Sequence, residues 1–246
     1  MEFREYKRLA NALKMQDTNK YSTWDNIMQL CLNMYEDNHD YLQYCLKLSK
    51  AVKLSAQRLL IKNQDVRFET LYWQALKFEA PHLFDSYLLY LERKRLEQDR
   101  FYSPKRKQLN KHGLIQAMQD LEDDKLDILS ISMPPGTQKT TLEKFFCSWI
   151  IGRHPDDFSL FFSHSGDITR MFYDGVMDIT TNSDEYCWQE IFPDVKFHST
   201  NAKRETINFN KYKPFSNIQC TSVGSKNAGK VRANRYLYCD DLIGGI

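Results

Sequence analysis

From Tyr21 to about Gln98, apolar residues recur at intervals of three and four: Leu42, Cys45, Leu46, Leu48 and Val52, then Leu71, Ala75 and Phe78. That spacing gathers them on one stripe of an α-helix. The stretch is charged and nearly free of Gly and Pro. Its Pro81 separates "FETLYWQALKFEA" from "HLFDSYLLYLERKRLEQ", which predicts two helices with a break between them. After Phe101 the pattern shortens. Apolar runs at 126–132, 158–163, 205–210, 217–223 and 235–240 have strand length and alternate with helical stretches. Between the first two runs, "KTTLEKFFCSWIIGR" predicts an amphipathic helix with Gly152 near its end. "TINFNKYKPFSNIQCTSV" reads as a hairpin around a Pro-bearing turn.

Strands interleaved with helices predict an α/β fold, a mostly parallel sheet flanked by helices, after an α-helical N-terminal region. The expected division is 1–100, helical, and 101–246, α/β. No internal repeat or low-complexity segment is found.

Composition changes this picture little. The chain has 246 residues, enough for one large or two modest domains, and a formal net charge of +2. So small a charge demands no nucleic-acid or membrane partner. No apolar run approaches the roughly 18 residues of a membrane span. The start, "MEFREYKRLA", lacks the apolar core of a signal peptide. The six cysteines form no C-x-x-C pair, so buried thiols are expected rather than a zinc site or disulfides. A cytoplasmic protein is the plain expectation.

Candidate chemistry centres on "ILSISMPPGTQKTTL", residues 128–142. An apolar run, a Pro-Pro-Gly turn and a Lys-Thr-Thr helix start form the context of a phosphate-binding loop. In such loops amides cradle phosphates, a lysine reaches the β/γ oxygens and a hydroxyl holds Mg²⁺. Met133 and Gln138 stand where the general signature G-x-x-x-x-G-K-[ST] has glycines. A left-handed backbone at Gln138 would cost about 1–2 kcal/mol. A second feature is "RYLYCDD", an apolar strand ending in Asp240 and Asp241. A strand ending in Asp beside a phosphate loop is where a Walker B carboxylate orders Mg²⁺. Taken alone, the loop is equally a helix start and Asp-Asp a solvated turn; together they point to a metal–nucleotide site.

Several pieces in order carry a family resemblance. "FYSPKRKQL", "LDILSISMPPGTQKTTL", "WIIGRHPDDFSLFFSHS", "IFPDVKF", "TSVGSKNAGK" and "RYLYCDDLIGG" resemble the ATPase part of the large terminase subunit of tailed phages, which packages DNA. The loop is similar to that family's S-x-P-P-x-x-x-K-[ST]. The resemblance covers about residues 100–246. It implies a P-loop NTPase-like fold, ATP and Mg²⁺ as cofactors, and ATPase activity. It also implies double-stranded DNA, a small terminase subunit, a portal protein and homo-oligomeric neighbours as partners of the intact motor, in a bacterial host cell. Departures from the pattern are Gly136 where many members have Arg, Gln138 where they have Gly, and Asp241 where Glu is common. The family's last sheet strands and nuclease domain have no counterpart up to Ile246, so an incomplete sheet and no nuclease activity are expected.

The resemblance and the loop chemistry together assign roles. Lys139 would neutralise phosphate charge; Thr140 and Asp240 would ligate Mg²⁺; Asp241 would position water or act as base. Pro135, Gly136, Thr137, Gln138 and Thr141 would line the phosphate. Tyr102 and Arg106 are candidates for adenine contact, against a solvated basic turn. Arg232, with Lys230 and Arg170 as alternatives, is the candidate finger acting on a neighbour's ATP, against a surface charge. Ser163-His164-Ser165 reads as a phosphate sensor or a capping turn. The basic stretches around 92–111 and 203–235 are DNA-contact candidates or solvated faces. The alternative to an ATPase is a degenerate P-loop module that binds nucleotide or partners without turnover; a helicase is a weaker third reading.

Overall fold

The computed structural model describes residues 2–134, 136–211, 213–224 and 232–242. The chain divides into two compact units, Met1–Tyr90 and Leu91–Ile246. No described helix is long and apolar enough to cross a membrane.

The first unit is helical. It contains α1 (Phe3–Lys14), α2 (Tyr21–Asp37), α3 (Leu42–Asn63), α4 (Arg67–Glu79) and nearly all of α5 (Phe84–Leu91). The expected periodicity is realised in its core. Ile27, Cys31 and Met34 of α2 are fully buried with Cys45 and Val52 of α3 and Leu71 of α4. α3 ends where Gln64 turns left-handed, with φ 51°, and its amide closes on the Leu60 carbonyl. One carboxylate lies inside this unit. Glu79 is fully buried, and Lys53, Ser49 and Ser86 all donate to it, so no charge is left bare.

The second unit begins with Glu92, whose buried carboxylate accepts the amides of Phe101 and Tyr102, both at 2.8 Å. It thereby satisfies donors at the start of α6 (Tyr102–Lys111), which have no intrahelical partner. α7 (Leu114–Glu122) and α8 (Lys139–Arg153) follow, then β1 (Ser159–Ser163), α9 (Gly166–Thr181) and the short α10 (Trp188–Ile191). The remaining strands are β2 (Phe197–Asn201), β3 (Thr206–Phe209), β4 (Ile218–Ser222) and β5 (Leu237–Cys239). In the sheet they lie in the order β2-β3-β4-β1-β5. Gly152 lies near the end of α8, as expected, and the Phe192 ring packs where a Cβ would stand, so a larger residue there would meet that ring.

Two expectations are corrected. The sheet is mixed, not mostly parallel: β1 pairs with β4 and β5 in parallel, but β2–β3 and β3–β4 are antiparallel. Short connections dictate this, since a parallel neighbour needs a crossover of a dozen or more residues. The Pro-bearing hairpin is among these antiparallel pairs. The run 126–132 was expected as a buried strand, yet it carries no strand and Ile128 is 85% exposed. β5 is only three residues long, and its far side meets no strand among the described residues, so the run finds no ladder to join. An apolar segment without ladder partners keeps its backbone groups in water.

Glu122 organises the second unit. Its side chain is fully buried at the end of α7, with Arg153 Nε at 2.9 Å, His154 Nε2 at 2.6 Å and Arg235 Nη2 at 2.7 Å. The Tyr236 hydroxyl donates to it at 2.9 Å. Burial alone would push this carboxyl up, but hydrogen bonds from His154 and Arg235, with the Arg charges, outweigh it and hold the group at about 2. A carboxyl whose native value lies below its unfolded value contributes stability above the unfolded value and loses it as pH falls. Glu122 should therefore stabilise the native state fully above about pH 4.5 and progressively less towards pH 2. Glu122→Gln should cost about 3–5 kcal/mol in urea unfolding at pH 7, because it strands buried cations. It should also flatten the acid limb of the stability profile. Equal unfolding midpoints of parent and variant at pH 7 and again at about pH 3 would contradict this account.

Candidate functional site

The site forms where the N-terminus of α8 meets the end of β5. Gly136 has φ +78°, a left-handed backbone that glycine adopts at little cost. Gln138 is left-handed as well, with φ 63° and ψ 39°, so the strain anticipated for a non-glycine at this position is present. Lys105 offsets part of it by donating to Gln138 Oε1, and its ammonium lies 4.4 Å from the Phe101 ring centroid. Thr137 ties the turn to Pro134, its hydroxyl donating to that carbonyl at 2.7 Å. The Gln138 carbonyl accepts the amides of Thr141 and Leu142, which starts α8. The amides of Lys139 and Thr140 meet no acceptor among the described residues, as at any helix N-terminus. Fixed positive potential results there.

Asp240 stands opposite. Its amide donates to the Phe162 carbonyl at 3.0 Å, which continues the β5–β1 pairing and places Asp240 just beyond β5. The residue is 4% exposed. Its Oδ1 lies 2.6 Å from Lys139 Nζ, and its Oδ2 accepts from Thr140 Oγ1 at 2.6 Å. Residues a hundred positions apart thus meet in one cluster. The hydrogen bond to Asp240 raises the Lys139 pKa, so the ammonium stays charged.

Asp241 is placed differently. Its backbone is left-handed, with φ 47°, and its carbonyl accepts from the His164 amide at 3.1 Å, with His164 Nδ1 at 2.6 Å. Its side chain is more than half exposed. Ser165 caps α9, accepting from the Asp167 amide at 3.2 Å, so the capping reading of Ser163-His164-Ser165 describes what this turn does.

The other expected residues scatter. Tyr102 is fully buried and its hydroxyl accepts from Asn110, so its ring belongs to the core and offers no open face to a ligand. Arg106 is half-buried, and Lys105 is the α6 side chain that reaches the loop. Arg232 is exposed, with its guanidinium 5.4 Å from the Phe215 ring centroid. Arg170 is engaged by Asp174 and the Ala202 carbonyl. Pro135 and Lys230 lie outside the described residues.

Glu143 escaped the sequence reading. One helical turn after Lys139, it shares that residue's face of α8. Burial first, and then the Asp240 charge, push its carboxyl up to about 8. The only sequence signal was a Glu four residues after the loop lysine, which by itself reads as a solvated helix pair.

Chemically, the open amides and Lys139 suit an anion's oxygens, while Thr140 and Asp240 offer two hard oxygen ligands. No three His, Cys, Asp or Glu gather as a metal cage among the described residues. This donor set fits Mg²⁺, which is commonly held by one or two carboxylates with phosphates and water. Comparison of the chain with family models, curated proteins and solved structures gives no match.

A carboxyl raised by burial stabilises the native state while protonated, fully below its unfolded value, and this stabilisation is lost as pH rises through the native value. In metal-free protein, Glu143 should therefore erode stability between about pH 4.5 and 8, by at most about 1.4 kcal/mol per pH unit. Glu143→Gln should remove that slope. Denaturation midpoints of the two proteins at pH 5, 6.5 and 8 check this, and parallel profiles would count against it.

Proposed function

We propose that the second unit is a nucleotide-binding, ATP-hydrolysing domain of the kind found in terminase large subunits. The observation that carries the reading is the meeting of Lys139, Thr140 and Asp240 at the open amides of α8. When bound, Mg²⁺ would neutralise phosphate charge, held by Thr140 and Asp240. Lys139 would exchange its Asp240 partner for β/γ-phosphate oxygens. The amides of Lys139 and Thr140, with the Gly136–Gln138 turn, would hold the same phosphates. Asp241 is the candidate for positioning the attacking water, which requires its exposed carboxylate to turn toward the bound nucleotide. Arg232 is the candidate finger, and from its exposed position it would act on a neighbouring copy. Double-stranded DNA and the other packaging components are partners of this motor reading.

A second reading, a P-loop module that binds without turnover, is favoured by one observation. The segment 126–134 that leads into the loop carries no strand, so no β-ladder fixes the loop from its N-terminal side.

Mg·ATP binding by calorimetry and phosphate release should be measured on the chain and on Lys139→Ala. Affinity should fall about 100-fold in the variant, or ~2.7 kcal/mol. Thermal melts of both proteins separate lost binding from lost fold, since the substitution leaves the Asp240 carboxylate unpaired. Turnover that rises per chain with protein concentration would support a finger from a neighbour. Binding without turnover would favour the second reading, and equal binding by both folded proteins would overturn the site itself.

A further inference from the structure

The second unit holds a cavity of about 760 Å³ that shares no residue with the phosphate loop. Its floor is one face of the antiparallel part of the sheet. Strand register puts Ser199, Asn201, Thr206, Asn208 and Gln219 on that face, because residues directly opposite in a ladder point to the same side. The other face carries Ile207, Phe209 and Ile218, all fully buried in the core. A wholly polar face is ordinary when water covers it. Here, however, Thr206 is 8% and Asn208 6% exposed. Buried polar groups of this kind normally have partners.

Asn208 does not have a full set. Its Oδ1 has no hydrogen-bond partner among the described residues, and its Nδ2 reaches Ser199 Oγ only at 3.5 Å. Turning the amide over exchanges the two ends and leaves one of them unmatched. The cavity walls carry charge of one dominant sign. Lys203 and Arg204 stand exposed at the β2–β3 turn, and Lys213, 8% exposed, also lines the cavity. Lys213 donates to the Pro155 carbonyl and has Asp156 at 3.6 Å, so it is partly engaged. Neither Lys203 nor Arg204 makes a side-chain ion pair among the described residues. Glu205 is the one carboxylate in the lining among the described residues.

We propose that this cavity binds a small phosphate monoester of a sugar, a sugar phosphate or a nucleoside monophosphate, at a site separate from the α8 loop. The volume lies within the range of small-molecule sites, roughly 300–1,000 Å³. The described lining is predominantly polar, which selects against apolar ligands. Lys203 and Arg204 match the phosphate. Ser199, Thr206 and Gln219 match sugar hydroxyls, which both donate and accept.

The experiment is an amide NMR titration of the full chain with ribose 5-phosphate, AMP, ribose and inorganic phosphate in separate arms. Saturable shifts at Thr206–Phe209 and Ile218–Ser222 are expected with ribose 5-phosphate or AMP. Whichever of the two binds more tightly distinguishes sugar phosphate from nucleotide. The double substitution Lys203→Ala/Arg204→Ala, confined to exposed positions, should weaken binding at least about tenfold. Asn208→Asp, with an unchanged circular dichroism spectrum, should weaken it further. The AMP arm is repeated on Lys139→Ala, where the shifts should persist. Shifts confined to the α8 loop, or no saturation at about 10 mM, a binding free energy weaker than about −2.7 kcal/mol, would overturn the proposal. Tighter binding of a single-stranded oligonucleotide to the same residues would overturn it in favour of a nucleic-acid surface.

Discussion

Two buried carboxylates clasp α8 to β5 at both ends, and the geometry of the second unit follows from that. Glu122 holds Arg153 and His154, at the end of the helix, to Arg235 and Tyr236, just before the strand. Asp240, just after the strand, holds Lys139 and Thr140 at the start of the helix. The helix must therefore run antiparallel to β5, and to its parallel neighbour β1. Its N-terminal amides are delivered to the sheet edge where those strands end. In open α/β sheets that edge is where ligands bind.

The two clasps differ in what they leave available. The Glu122 cluster has no exposed carboxylate surface and four groups engage that carboxylate, so it is structural. The Asp240 cluster has a lysine that remains 37% exposed and, beside it, two amides that meet no acceptor among the described residues. Coulomb attraction between a compact ammonium and a carboxylate at the rim of a cleft can be exchanged for an equivalent attraction to phosphate. In the absence of such a ligand, the pair keeps Asp240 from standing buried and bare. The neighbouring Glu143 obeys the same electrostatics with the opposite result. A second carboxylate close to Asp240 in a half-buried setting favours its proton.

The loop shows how local strain and tertiary support balance. Gln138 holds a left-handed backbone at a position where glycine would be relaxed, yet its side chain accepts from Lys105 on another helix. The strain is local and the compensation is tertiary. A comparable division marks the sheet: β1, β4 and β5 form the parallel part beside the loop, and the β2–β3 hairpin adds an antiparallel wing with the polar cavity on one face.

The helices were legible because their signal is local. Apolar spacing of three and four residues, Pro81 and the Lys-Thr-Thr start each act within a few residues, and α2–α4 and α8 fall where those signals place them, while the helix expected over 82–98 is realised only as α5, Phe84–Leu91. The runs that became β1, β3, β4 and β5 were legible for the same reason. The chemistry of Lys139, Thr140 and Asp240 could be suspected from residue types in a strand–turn–helix context, but the 2.6 Å contacts that unite them span a hundred residues and arise only through folding. Tertiary structure alone decided that Tyr102 is core, that β2 joins β3, that no strand forms over 126–132 and that burial beside Asp240 pushes the Glu143 carboxyl up. Each of these depends on which distant backbone or charge lies alongside. A strand exists only if a partner ladder reaches it, and a carboxyl's proton affinity is set by its neighbours in space rather than in sequence.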